Sequence, residues 1–190
     1  MEGYIDIRVE GQKKRIRIHN VHLEEEAGKL IHPEEPGVDY SLVDFNRAGV
    51  PLLEIVSYPD MRSLKEVESY MMGLRDILLY TEVSDCKMQE GSLRFEASIS
   101  LRPRGQEALG NRVEMKNLNS MKAVLKALGY ETVRQKEVLD RGEEVTRETR
   151  LWDEVPERTE RMRTKEEAQD YRYFPEPDLV PVIIEERWLE

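Results

Sequence analysis

The chain has 190 residues, 39 acidic against 29 basic, a formal charge of −10, and side chains that are 39% apolar and 36% charged. That is length for one domain, or one and a half, with a real core but a thin or extended shape. It excludes a membrane span, since no apolar run approaches the roughly 18–20 residues required, and general affinity for nucleic acid, since phosphates need Lys and Arg. Any RNA contact falls to local basic patches or a partner. Met1-Glu2-Gly3-Tyr4 opens no signal peptide, and the single Cys86 excludes a disulfide framework and a cysteine zinc site, which suits a reducing cytoplasm.

Residues 4–19 alternate: Tyr4, Ile5, Ile7 and Val9, then Ile16 and Ile18 between Arg15, Arg17 and His19. The break at Glu10-Gly11-Gln12 predicts a β-hairpin with one buried face. Its second arm carries Lys13, Lys14, Arg15 and Arg17, read as a charged outer sheet face or, less simply, an RNA patch. Short strand-like runs follow at Val21–Glu24, Lys29–His32 and Leu52–Val56, with a surface loop at His32–Gly37 imposed by two prolines. Ser63-Leu64-Lys65-Glu66 is a capping box, and Leu64, Val67, Met71, Leu74 and Leu78 recur at helical spacing, predicting a helix to Tyr80. Gly73 inside it suggests close packing.

Ser92–Arg102 alternates again, and Val113–Lys116 is a short strand. Beyond Asn119-Ser120, a second long helix carries Met121, Val124, Leu125, Leu128, Val133 and Val138 and ends near Arg141-Gly142. Thr146–Trp152 and Thr159–Arg163 read as another strand pair, Thr164–Glu167 as the cap of a short turn, and the tail is Pro-rich. Strand groups punctuated by two long helices predict an α+β fold built on antiparallel sheet.

There is no Gly-rich phosphate loop and no nucleophile elbow. The chemistry rests instead on carboxylates inside apolar strands. Glu54 lies between Leu53 and Ile55 and points to the opposite face from both. It is either an exposed or salt-bridged glutamate or a ligand for a hard cation. Glu114 repeats the case in a shorter run. Glu24, Glu25 and Glu26 form a like-charge cluster that is either an acidic turn or a Mg²⁺ site. Asp44–Gly49, Lys116–Ser120 and Asp170–Pro175 add fixed Arg, Lys and Asn groups. Carboxylates beside such cations are what phosphoryl transfer needs, so the residues point to a Mg–nucleotide site.

Six segments go further than their spacing. HLEEEAGK at 22–29, SLVDFNRAGVPLLEIVS at 41–57, QEGSLR at 89–94, EMKNLNS at 114–120, ETRLWDE at 148–154 and DYRYFPEPDL at 170–179 closely resemble the GatB family. These proteins are one component of the tRNA-dependent aspartyl/glutamyl amidotransferases. The resemblance implies a fold grouped with glutamine synthetase and the guanido kinases. It also implies residues 1–190 as part of the catalytic cradle domain, with the family's N-terminal section, helical domain and tail domain absent. The implied activity is that of an ATP-dependent carbon–nitrogen ligase. ATP and Mg²⁺ activate the side-chain carboxylate of Glu-tRNA(Gln) or Asp-tRNA(Asn), and ammonia arrives from the amidase subunit GatA. Implied partners are GatA, GatC and misacylated tRNA.

Carried across on the matching motifs, Glu25 and Glu54 are metal-site and catalytic carboxylates, Glu114 is a third metal ligand, and Arg47 is catalytic. Arg94 and Lys116 contact phosphate or carboxylate, while Asn46, Asn117 and Asn119 orient substrate or nucleotide. Arg172 either binds or anchors its own segment. The family pattern is broken at Tyr58, where Glu is usual, and at Phe95, Glu96 and Ser98, where Cys, Asp and Asn are usual. The resemblance therefore leaves a second expectation open, a scaffold that docks GatA or tRNA and catalyses nothing. Either way, the chain alone is expected to make no Gln-tRNA.

Overall fold

The computed structural model describes residues 3–31, 33, 40–164, 180 and 182–188. The Asp170–Pro175 segment with Arg172, the Thr164–Glu167 cap and most of the His32–Gly37 loop lie outside the described residues.

The first hairpin forms as the alternation predicts. Strands β1 (Tyr4–Val9) and β2 (Gln12–Glu25) pair antiparallel with Ile5 opposite Ile16. The reversal uses Glu10 and Gly11, both at positive φ (52° and 80°), a two-residue turn whose twist matches that of the strands. Ile5, Ile7 and Ile16 are buried against Tyr70 of helix α1 (Leu64–Tyr80). Every basic residue of the Lys13–Arg17 arm has a local acid. Lys13 and Arg15 reach Asp6, Lys14 reaches Glu66 at 2.7 Å, and Arg17 reaches Asp60 at 2.7 Å. The patch thus fastens the hairpin to its surroundings, as the charged-face reading expects.

The separate run at Val21–Glu24 is in fact the continuation of β2, which is 14 residues long and pairs with β5 (Pro51–Ser57). The register steps from Ile18 opposite Ser57 to Asn20 opposite Val56, so His19 is one extra residue, a β-bulge. Before it the apolar residues of β2 are even-numbered; after it they are odd-numbered. The structure adds a strand that the sequence left unread: β4 (Leu42–Asp44) pairs with β3 (Lys29–Ile31) in a sheet of two.

Helix α1 starts where the capping box places it. The Ser63 hydroxyl accepts the Glu66 amide at 3.3 Å, while the Glu66 carboxylate accepts the Arg62 amide and the Lys14 ammonium. A β-carbon on Gly73 would meet Ile5 only at 3.6 Å, so packing there is ordinary.

The second half is a four-stranded sheet in the order β6 (Ala97–Ile99), β7 (Val113–Lys116), β8 (Glu148–Asp153), β9 (Arg158–Thr164). Two expectations change here. The strand predicted over Ser92–Arg102 shrinks to three residues, because its ladder ends where four-residue β7 ends. One pair is parallel: β7 and β8 are joined through helix α2 (Met121–Asp140), which crosses over the sheet. The α+β class built mainly on antiparallel pairing stands.

Helix α2 lays Ala123, Val124, Ala127 and Leu128 on Met115, Leu118 and Trp152, with Met71 of α1 joining this core. Val133, read as part of the apolar stripe, faces outward, and Glu131 and Gln135 take the buried positions instead. Glu131 has no solvent exposure. It accepts both Arg134 N–H groups at 2.8 Å, Gln135 Nε2 at 3.1 Å and the Thr159 hydroxyl at 2.5 Å, with Arg150 Nε 3.2 Å away. Gln135 in turn accepts the Leu101 amide at 3.2 Å. The network binds α2 to β8, β9 and the end of β6. Among the described residues no helix is long and apolar enough to cross a membrane.

Burial pushes the Glu131 pKa up, but hydrogen bonds from Arg134, Thr159 and Gln135 outweigh it and hold the carboxyl below the ordinary range. Its contribution to stability is therefore present in full above the unfolded value of about 4.3 and is lost as pH falls toward the lower folded pKa. Glu131→Gln should flatten the acid limb of a pH–stability curve measured by urea unfolding. Glu131→Ala, which strands Arg134 and Arg150, should cost about 3–5 kcal/mol at neutral pH.

Candidate nucleotide and phosphate site

The ladder of β2 on β5 decides how the acidic cluster meets Glu54. Glu54 lies opposite His22 and Glu24 opposite Leu52, so His22, Glu24 and Glu54 share one face, with Glu24 and Glu54 diagonal to each other. Glu25, opposite Pro51, belongs to the other face with Leu23 and Leu53. Its Oε1 lies 3.2 Å from where a β-carbon on Gly49 would be, over the turn into β5. The expected convergence of Glu25 with Glu54 therefore does not occur. The sequence signal for Glu24 was the shift of apolar residues from Ile16 and Ile18 to Val21 and Leu23, which betrays the bulge and sets the parity.

Glu114 is also elsewhere, on β7 in a different sheet. Its carboxylate is 3.2 Å from Lys116 Nζ. Among the described residues no group of three His, Cys, Asp or Glu side chains could hold a metal ion. The expected Glu25–Glu54–Glu114 set is thus not brought together.

Arg47 and Asn46 sit on the turn between β4 and β5. Arg47 Nη2 reaches Glu26 at 3.1 Å and the Gly91 carbonyl at 3.3 Å, tying the end of the β2–β5 ribbon to the QEGSLR segment. Gly91 is required there. Its φ is +76°, and a β-carbon would come within 2.8 Å of the guanidinium. Asn46 is held by Asp44, whose Oδ1 accepts both its amide N–H at 2.9 Å and its side-chain N–H at 2.6 Å.

The remaining expected binding residues do meet. Arg94, Lys116, Asn117 and Asn119 line one cleft of about 370 Å³ with Phe95, Glu96 and Leu118. The cleft forms where β7 ends and the chain turns into α2. Asn117 takes the left-handed conformation (φ 64°) and donates to the Trp152 carbonyl at 3.0 Å, and Asn119 donates to Asn117 at 3.2 Å. Both amides shape the loop, leaving the charges to face a ligand. Lys116 Nζ lies 3.2 Å from both Glu96 and Glu114, and Arg94 is 3.3 Å from Glu96. Burial lowers the Lys116 pKa, yet the two carboxylates more than offset this and raise it, so the ammonium stays charged. Glu96, seen in the sequence only as a departure from pattern, is thus part of the site. A planar guanidinium and an ammonium beside exchangeable carboxylates can receive phosphate or carboxylate oxygens.

Comparison with known proteins agrees with this geometry. A family model described as the GatB/GatE catalytic domain matches residues 1–190. The B component of the aspartyl/glutamyl-tRNA(Asn/Gln) amidotransferase of Caldanaerobacter subterraneus subsp. tengcongensis is 60% identical over 188 residues, covering 99% of this chain and 39% of that protein. The protein of the same name from Caldicellulosiruptor saccharolyticus is 59% identical over 189 residues, again covering 99% and 39%. The chain therefore spans about two fifths of the length of these relatives. With a match over its whole length, it belongs to the GatB/GatE catalytic-domain family.

Proposed function

We propose that the chain carries the carboxylate-activating site of a tRNA-dependent amidotransferase of the GatB type, an ATP-dependent ligase. The relatives' name supplies the substrate class, glutamate or aspartate on a mismatched tRNA. The observation that carries the reading is the cleft in which Arg94 and Lys116 stand beside Glu96 and Glu114. ATP with Mg²⁺ supplies the phosphoryl group that converts a poor oxide leaving group into phosphate. The chain's own part is electrostatic. Lys116, released from its carboxylates by an incoming anion, and Arg94, at the cleft mouth, neutralise charge on phosphate and acyl oxygens. Asn117 and Asn119 hold the loop so that neither cation must be reorganised.

Mg²⁺ keeps several waters and takes one or two carboxylates beside substrate phosphates. Glu24 and Glu54, exposed and on one face, fit that demand; Glu25 does not. In this reading GatA supplies ammonia, GatC completes the assembly, misacylated tRNA is the substrate, and the cytoplasm is the compartment. A scaffold reading has one observation in its favour. Leu23 and Phe45 are each more than two-thirds exposed on and beside the β2–β5 ribbon, an apolar surface of the kind that docks a partner.

Isothermal titration of the chain with Mg·ATP separates the two readings, since heat of binding is expected of an activating site and a flat trace of a scaffold. Lys116→Met should weaken binding by about tenfold or more, the loss of a charge-assisted contact, with circular dichroism unchanged. An affinity within about twofold of the parent would remove Lys116 from the site. In Mg²⁺ titrations at fixed ATP, Glu24→Gln and Glu54→Gln should each raise the half-saturating metal concentration, by about tenfold. Glu25→Gln should leave it unchanged; the reverse ranking would return the metal to the other face.

A further inference from the structure

A second cavity, of about 190 Å³, opens at the start of α2 and is lined by Ser120, Lys122, Ala123, Lys126, Trp152 and Glu154. Its polar lining is almost wholly of donors. The Ser120 hydroxyl takes the Ala123 amide at 3.0 Å and its carbonyl takes the Val124 amide at 3.1 Å. The two amides ahead of them in the first turn, those of Met121 and Lys122, have no acceptor among the described residues. Twenty residues of helix stand behind this end, with their dipole positive toward the cavity.

The second observation is independent of the helix. Trp152 is 1% exposed, and its Nε1 is buried with no hydrogen-bond partner. An indole N–H shut away from water nearly always finds an acceptor, because leaving it unmade costs the full desolvation of the donor. Its neighbours Lys122 and Lys126 are donors as well. Lys126 pairs with Glu157, whereas Lys122 has no acidic partner within 4.0 Å among the described residues. Only Glu154 supplies negative charge, against an indole N–H, two ammonium groups and free amides.

We infer that this cavity is an oxyanion subsite that takes a phosphate group, distinct from the Arg94–Lys116 cleft. The two are joined by consecutive residues: Asn117–Asn119 line the first and Ser120–Ala123 the second. The phosphate belongs either to a phosphodiester of an RNA strand or to a small free phosphate. The chemistry is shared, and the site stands whether or not the cleft binds Mg·ATP.

The test reads the orphaned donor itself. The chain has two tryptophans, so a ¹⁵N-labelled sample gives two indole N–H resonances, and Trp188→Phe at an exposed position assigns that of Trp152. Titration with inorganic phosphate, and separately with a short single-stranded RNA, against a matched potassium chloride control should move the Trp152 resonance saturably. Movement with phosphate identifies a free anion as sufficient, and movement with RNA alone identifies a strand as the source. Lys122→Ala with Lys126→Ala should weaken the response about tenfold, while Glu154→Gln should tighten it severalfold by removing the one opposing charge. The proposal is overturned if neither phosphate nor RNA moves the resonance, if chloride moves it equally, or if the lysine pair and Glu154 variants leave the titration unchanged. All three altered side chains are at the surface, so the result does not depend on disturbing the core.

Discussion

A carboxylate with no access to water holds the second half of this chain together. Glu131 gathers Arg134, Arg150, Gln135 and Thr159 around itself, and through them α2 is fixed against β8, β9 and the end of β6. An isolated buried charge would be expelled or neutralised; here four donor residues make it the rigid centre of a polar cluster. The cleft and the smaller cavity both sit at the opposite end of the same helix, where Lys116–Lys122 passes from strand to helix. Their shape therefore depends on where α2 is pinned, even though Glu131 touches neither.

Around that anchor the chain distributes its charges in two ways. Near the hairpin, each Lys and Arg is spent on a nearby Asp or Glu. Arg17 alone offers Nε and Nη2 to Asp60 and stacks over Tyr58, 4.6 Å from the ring centre. In the cleft the pairing is looser, since Lys116 is shared between two carboxylates and Arg94 stays largely exposed. Pairs of the first kind hold surfaces together. Those of the second can exchange a protein carboxylate for a substrate oxygen without leaving a cation bare.

Much of this was legible in the residues. Both helices follow from a serine cap and an apolar repeat, signals that tertiary contacts reinforce. Strands β7, β8 and β9 follow from alternation. What was not legible has specific causes. Strand β4 is three residues in a polar stretch, too short to show a period. Strand β6 is cut short by the length of its partner, a fact about β7. Glu131 and Gln135 look like solvated helix residues, although they continue the stripe of Val124, Ala127 and Leu128 at the same spacing. At the candidate site, motif wording found Arg94, Lys116, Asn117 and Asn119, which do share a cleft. It chose the wrong member of Glu24-Glu25 because adjacent glutamates are equivalent as text and opposite in a strand.

The extra residue at His19 turns that last point into a design constraint. Half of β2 owes its orientation to one unpaired position, so the strand behaves as a ribbon with a single half-twist tied into it. Deleting that residue would leave every side chain chemically intact while exchanging the roles of the two faces beyond it. Leu23 would move to where His22 is presented, and Glu25 would inherit the place of Glu24 beside Glu54. A one-residue change in chain length, far from any ligand, would then rewrite which acids are offered together.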